Sequence, residues 1–381
     1  MTTQTLPSQT AISSFLGVLR EQLPDARDNR GKRHNLTFVV VAVAVALTCM
    51  CKTLSSVQRF IENRLDWLRS STGMPVAKAV SRAQLPRILD GVDLAALNKL
   101  IAHHFNACGE GVWFAGDGKA LRGSSRNGKR EAVVLMVRQD TGAEVARTPQ
   151  SGAKTSEIPV MRELLAASGL DKQHITLDAG HCNPQTLGQI ADAGGTFLTQ
   201  VKENQPHMLE KARLLSMQES ALGTSTAVEK AHGRLTVRTA KLYTVRPGTF
   251  PRRWGRSKIR RLAVVRRQTQ DTSTGMRSDE VSYYITNHVS TQTHAAQLEE
   301  LASAVRGHWR VESNNWVRDT ALGEDLVRIK APNQAQVMAS LRSVVLAVVR
   351  TVSEGNLQAV LDRVCHVPSA LKAMFRKAKF L

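Results

Sequence analysis

The chain has 381 residues, with 52 Lys and Arg against 32 Asp and Glu and a formal net charge of +20. Hydrophobic residues at 42% and charged residues at 22% exclude a disordered chain and fit a globular protein of about two to three domains. An isoelectric point near 10.3 points to a polyanion as partner, nucleic acid ahead of an anionic membrane surface, and away from a purely small-molecule enzyme.

The first hundred or so residues read as helical. Helices are expected near 10–22, 36–51, 54–70, 81–89 and 94–105, with Asp93 as N-cap of the last. The segment from Leu36 to Cys51 carries no charge, yet its 16 residues fall short of the ~20 that a membrane-spanning helix needs. It is read as a buried core helix, so no membrane association and a cytoplasmic, nucleoid-associated location are expected. Five cysteines without C-x-x-C spacing fit a reducing compartment rather than a disulfide framework. Two groups invite a zinc reading, His103, His104 and Cys108, and His181 with Cys182. Neither has a second half at ligand spacing.

The pattern changes near Gly109. Strands are expected at 111–118, 132–137, 143–147, 174–178 and 196–201, with helices at 157–168 and 182–193. That order, β-β-β-α-β-α-β, describes a mixed α/β sheet with flanking helices. Residues 204–287 read as a separate β-rich part, with alternating segments at 235–245, 259–269 and 281–286. Between Tyr243 and Gln270 there are nine Arg or Lys and no acid. Such a run is ordinarily a solvated face. Here it contains Trp254 between Arg252, Arg253 and Arg256, a combination that grips phosphate and stacks on bases. Helices return at 293–305, 307–322 and 333–352, and the chain ends in a basic tail with Lys372, Arg376, Lys377 and Lys379.

The acids that close apolar runs are the candidates for chemistry. Asp117 follows GVWFAG and Asp178 follows ITL, at the rim where α/β sheets bind ligands. Carboxylates on adjacent strands form a ready magnesium site; two turn-forming aspartates are the plain alternative. Glu312 lies on a helical polar face with His308, Asn315 and Asp319, beside Trp309 and Trp316, which are expected to anchor the helix by burial. Asp319 is a rival for the third carboxylate.

Six blocks, FAGDGKALRGS (114–124), KTSEIPVMRELL (154–165), ITLDAGHCNPQT (175–186), GGTFLTQVKENQP (194–206), AHGRL (231–235) and RGHWRVESNNWVRDTALGED (306–325), carry a family resemblance. In order and spacing the chain resembles the H-repeat-associated DDE transposases of bacterial insertion sequences. The resemblance implies an RNase H-like core in which Asp117, Asp178 and Glu312 are both the catalytic acids and the metal ligands. They would hold Mg²⁺, or Mn²⁺ in its place, as two ions per site.

It further implies an N-terminal helical domain at 1–109 and a catalytic core at 110–203 and 290–352. A β-rich basic insertion at 204–289 and a basic tail at 353–381 complete the division. Double-stranded DNA is the implied partner, as insertion-sequence ends and target, with a homodimer once DNA is bound. Lys202, Asn204, His232 and Arg234 match family positions and are the DNA-contact candidates together with Arg252, Arg253, Trp254 and His308. Trp254 is read as the stacking candidate, with a core position as its alternative. Thr236, Ser313 and His308 stand where the family or its wider group usually has Glu, Asn and Arg. A DNA-binding-only protein and a structure-selective nuclease on the same fold are the competing readings.

Overall fold

A computed structural model describes residues 14–29, 32–105, 111–126, 129–150, 156–169, 171–231, 233–353 and 355–381, with backbone alone at 123–126 and 129–131. Six helices come first: α1 (Phe15–Gln22), α2 (Leu36–Thr48), α3 (Leu54–Asn63), α4 (Leu65–Thr72), α5 (Gln84–Asp90) and α6 (Leu94–Phe105). All 13 residues of α2 are buried, which explains why the segment carries no charge. Asn35 caps it by accepting from the Phe38 amide, so its first turn is satisfied without solvent. Among the described residues no helix is long and apolar enough to cross a membrane.

The chain's last helices close this layer. They are α12 (Pro332–Arg350), α13 (Leu357–His366) and α14 (Pro368–Lys377), and their apolar faces join the N-terminal helices in one core. The sequence reading made residues 353–381 a basic tail. Instead they are two amphipathic helices whose Leu361, Val364, Leu371, Met374 and Phe375 are buried, while Lys372, Arg376 and Lys377 face solvent. The Phe15 and Leu16 amides donate to the carbonyls of Lys379 and Phe380, at 2.8 and 3.0 Å, and tie the two ends of the described chain together.

Next to this layer runs one nine-stranded sheet in the order β3-β2-β1-β4-β5-β9-β8-β7-β6. Its first five strands are β1 (Trp113–Arg126), β2 (Lys129–Arg138), β3 (Glu144–Gln150), β4 (His174–Leu177) and β5 (Thr196–Val201). The β1–β2 and β2–β3 pairs are antiparallel, and β4 and β5 run parallel to β1. This is the RNase H-like order. Helices α7 (Glu157–Ala167), α8 (Pro184–Asp192) and α9 (Pro206–Gln218) cover one face, while α10 (His294–Gly307), α11 (Trp309–Thr320) and α12 cover the other.

The β-rich part of 204–287 needs correcting in two respects. It begins with α9, whose Met208, Leu209 and Ala212 pack into the core. Its four strands, β6 (Gly223–Ala231), β7 (Arg234–Thr244), β8 (Arg261–Asp271) and β9 (Arg277–Thr286), continue the core sheet rather than forming a sheet of their own. The join is the antiparallel β5–β9 pair, from Leu198 opposite Thr286 to Val201 opposite Tyr283. Beyond it the strands project as a mostly exposed blade.

Candidate active site

Asp117 does not close a strand. It lies within β1, opposite Leu135 of β2, and the strand runs on to Arg126. The flanking glycines look like turn residues in sequence, but they serve packing. A Cβ at Gly116 would come within 2.9 Å of the Leu177 side chain, and one at Gly118 within 2.2 Å of the Glu157 carboxyl carbon. Asp117 shares a sheet face with Ala115 and Lys119, the face that α11 covers through Val311.

Asp178 follows the end of β4. Because Gly116 pairs with Leu177 across the parallel β1–β4 ladder, Asp117 and Asp178 stand side by side on adjacent strands. Asp178 caps a short 3₁₀ turn, accepting from the His181 amide at 3.1 Å. The turn is braced by Thr199, whose hydroxyl donates to the Asp178 carbonyl, and by Asn204, whose amide donates to the Ala179 carbonyl at 2.7 Å.

Glu312 lies in the first turn of α11, exposed and within the field of Asp178 and Lys202. Burial and the Asp178 charge hold its carboxyl above its usual range. Asp117 is affected more strongly: burial first, then Asp178, Glu157 and Glu312, push it up to about 7. Four carboxylates therefore share one neighbourhood, on two strands and two helices. Asp319, the rival third acid, points elsewhere and pairs with Lys119 at 2.6 Å.

Glu157 is the residue that sequence reasoning missed. Ser156 caps α7 and leaves Glu157 as its first residue, with its carboxylate over Gly118 and 4.0 Å from His181 Nε2. The KTSEIPV block contains it, but nothing in the block's spacing reveals that α7 starts above β1.

The DNA-contact candidates divide. Lys202, Arg234, Arg252 and Arg253 are exposed. Asn204 spends its amide on the turn below Asp178. His308 is turned inward, with Nδ1 2.9 Å from the Thr176 hydroxyl, and fixes the start of α11 against β4. Burial holds its imidazole below its usual range, against the opposing pull of Asp178. His232 lies outside the described residues, as does Cys108 of the zinc candidates.

Trp254 is only 1% exposed and packs in the core beneath the sheet near α8, so it is not available for stacking. Trp309 and Trp316, expected to be buried, are 64% and 67% exposed. Of the basic run, Arg246, Arg256, Arg266 and Arg267 pair with Glu219, Asp192, Asp279 and Glu280 respectively. These pairs dilute the field that the run's sequence suggests.

A second group with metal-ligand chemistry joins His174, His288 and Glu300, whose ligand atoms lie within 4.8 Å of one another. Glu300 there accepts from Trp113 Nε1 and His288 Nε2, each at 3.0 Å. It links the start of β4 to the place where the chain returns from the blade.

The strand order is of RNase H type, and it brings together acids from β1, from the end of β4 and from the helix after the blade. Comparison with known proteins agrees. Residues 102–348 match the family described as Transposase DDE domain, and residues 19–105 the family described as DDE_Tnp_1-associated. The chain belongs to the DDE transposase family.

Among its relatives is "Putative transposase YncI" of Escherichia coli O157:H7, 28% identical over 89% of this chain and 88% of the relative. Another is "H repeat-associated putative transposase YhhI" of Escherichia coli strain K12, 24% identical over 85% and 87%. Among solved structures, a piggyBac transposase synaptic complex with hairpin DNA aligns with a TM-score of 0.41 and 11% identity. The alignment covers 96% of this chain and 77% of that one.

Proposed function

We propose that the protein cuts DNA at the ends of its insertion sequence and joins the freed 3′ ends to target DNA. Asp117, Asp178 and Glu312 are its catalytic acids. The observation that carries this reading is the convergence of these carboxylates at one place, crowded enough to push Asp117 up to about 7. Like charges held together in a fold are the mark of a cation site.

The donor set fits the group that the family implies. All the donors are hard carboxylate oxygens, which suit Mg²⁺ or Mn²⁺ and not a thiolate-seeking ion. Asp117 and Asp178, adjacent on parallel strands, would hold the ions together with Glu312 as the third carboxylate. When bound, such a pair of ions activates a water or 3′-hydroxyl and stabilises the leaving oxygen.

The protein's own part is positional. The Thr199 and Asn204 hydrogen bonds keep the Asp178 turn in place, and the contact of His308 with Thr176 sets the reach of Glu312. Lys202, the charge that tempers Glu312, lies where a phosphate would approach. Arg234, Arg252 and Arg253 extend the basic surface along the blade and its base. Two ends must be held at once, so the DNA-bound form is proposed to be a homodimer.

Strand cleavage of a labelled duplex carrying the element's ends tests the reading. Wild type should cut in Mg²⁺ or Mn²⁺ and yield joined products, while Asp117→Ala, Asp178→Ala and Glu312→Ala should bind but lose at least about a hundredfold in rate. Nicks without joining would indicate a nuclease. Binding without cutting would indicate a DNA-binding protein only.

A further inference from the structure

The carboxylates of the candidate active site gather at one end of β4, and a second set of donors gathers at the other. His174 opens the strand and Asp178 follows its close, about 13 Å away along the strand. His174 pairs in register with Trp113 of β1 and Thr196 of β5, so its backbone is fixed on both sides. His288 stands two residues past the end of β9, where the chain leaves the blade. Its amide donates to the Thr286 hydroxyl, and its carbonyl accepts from the Gln297 side chain. Glu300 comes from the middle of α10, the helix that leads into α11.

Two imidazoles and a carboxylate on three separate elements are the donors of a His₂Glu metal site. Their ligand atoms all lie within 4.8 Å of one another. Glu300 Oε2 is 3.0 Å from His288 Nε2, and its Oε1 is 3.8 Å from His174 Nδ1. Ligand atoms around a tetrahedral zinc ion sit about 3.3 Å apart, between those two separations. Hydrogen bonding accounts for His288 and for Trp113, which both donate to Glu300. It does not account for His174, whose Nδ1 is buried beside Glu300 with no hydrogen-bond partner among the described residues. Leaving a buried ring nitrogen unpaired is costly, and a metal ion would satisfy it.

The surroundings indicate which ion. On a chain of net charge +20 the general field does not gather cations, so directed bonds must hold one. Two imidazoles with one carboxylate suit Zn²⁺ rather than Mg²⁺. The Trp113 hydrogen bond is the outer contact by which such sites orient a carboxylate. Trp113 and Glu300 also line a groove of about 700 Å³, which gives the ion an entry path and admits water as a fourth ligand.

We propose that His174, His288 and Glu300 form a zinc site, separate from the carboxylate centre, that clamps the exit of the blade to the core sheet. The site stands whether or not the transposase reading holds, because none of its residues belongs to that reading.

The test uses the full chain, stripped with a chelator and then held in excess Mg²⁺ to occupy the hard carboxylates. Co²⁺ serves as the coloured stand-in for Zn²⁺. Wild type should bind a single equivalent with the strong visible absorption of a four-coordinate site, and Zn²⁺ should displace it. His174→Ala, His288→Ala and Glu300→Gln should each weaken binding at least about a hundredfold, and Trp113→Phe by about tenfold. His207→Ala, at an exposed histidine elsewhere, should bind as wild type does. Zn²⁺ should raise the melting temperature of wild type and His207→Ala, and leave that of the three ligand variants unmoved. Glu300→Gln keeps an acceptor for Trp113, so its fold should survive, as melting without metal would show.

No visible band in wild type, or a band that survives intact in His174→Ala, would overturn the site. So would a zinc-induced melting shift that keeps its full size in Glu300→Gln, since other residues would then be holding the ion.

Discussion

At the scale of single residues, the burden of the site falls on Asp117. Its carboxyl is raised from 3.8 to about 7 by burial and by neighbouring acids, so the ion-free fold favours the protonated form. A carboxyl raised in this way contributes stability that is fully present below its unfolded value near 3.8 and is lost as pH rises through about 7. Asp117→Asn removes that penalty. Without divalent ions the variant should melt above wild type at about pH 8, by an amount worth up to about 4 kcal/mol. The gap should shrink to less than half by about pH 5 and close only as pH falls below about 3.8, as thermal melting across that range would show. A gap that widens at low pH would contradict the assignment.

The tryptophans show how far residue type alone can mislead. Burying Trp and exposing Arg is the ordinary expectation, and α11 reverses it. Its inward face carries Asn314 and Arg318 because partners wait for them. The Asn314 amide donates to the Gly142 carbonyl and its oxygen accepts from Arg350, while Arg318 donates to Glu324 and to the Ala339 carbonyl. Apart from Glu324, six residues on, those partners come from the approach to β3 and from α12, distant in sequence. No pattern within 306–319 could disclose them.

At the scale of elements, α11 is held by a buried ionic network. Arg318, with its side chain 2% exposed, meets Glu324 at 3.0 Å and Glu144 at 3.4 Å. Glu144 also accepts from Arg147 and from the Ser343 hydroxyl, and Lys119 of β1 reaches Asp319 and Glu324. The network joins β1, β3, α11 and α12, and therefore fixes Glu312 relative to Asp117.

Arg318→Ala would leave Glu144 and Glu324 short of a counter-charge in the interior. The expected cost is about 3–5 kcal/mol, read from urea unfolding at neutral pH. Neighbouring cations hold both carboxyls below their usual range despite burial. Their contribution is present above the ordinary carboxylate value near 4.5 and is lost as pH falls below it. The difference between wild type and variant should therefore narrow in acid.

Elements were legible where period and punctuation agreed. The five core strands follow from apolar runs, and the side-by-side placing of Asp117 and Asp178 follows from β1 and β4 being parallel neighbours. The Gly-Asp-Gly sequence reads as the end of a strand, because glycine signals both turns and tight packing. Here Leu177, Met161 and Glu157 take the space of a Cβ. The missed α9 begins with Pro206 and packs Met208, Leu209 and Ala212 inward, a period hidden by the charged residues between them.

At the scale of the whole molecule, the ends of the chain build one helical layer and the middle builds the sheet. Sequence reading assigns α12 to the catalytic core, yet its residues pack both on β-strands, through Ala339, and into the helical layer, through Leu341, Val344 and Val345. Such sharing arises because a long helix buried on nearly all sides belongs to whatever surrounds it. Composition reveals its burial but not its neighbours. The blade grows from the sheet edge at β5, so its four strands continue the core sheet as one β surface.

The central claim is that the acids of β1, β4 and α11 form a divalent-ion centre. Anomalous scattering from crystals of the full chain soaked in Mn²⁺ addresses it most directly. The expected result is a peak between the carboxylates of Asp117 and Asp178 within reach of Glu312, absent from Asp117→Asn crystals. Manganese found only at His174, His288 and Glu300, or at neither place, would contradict it.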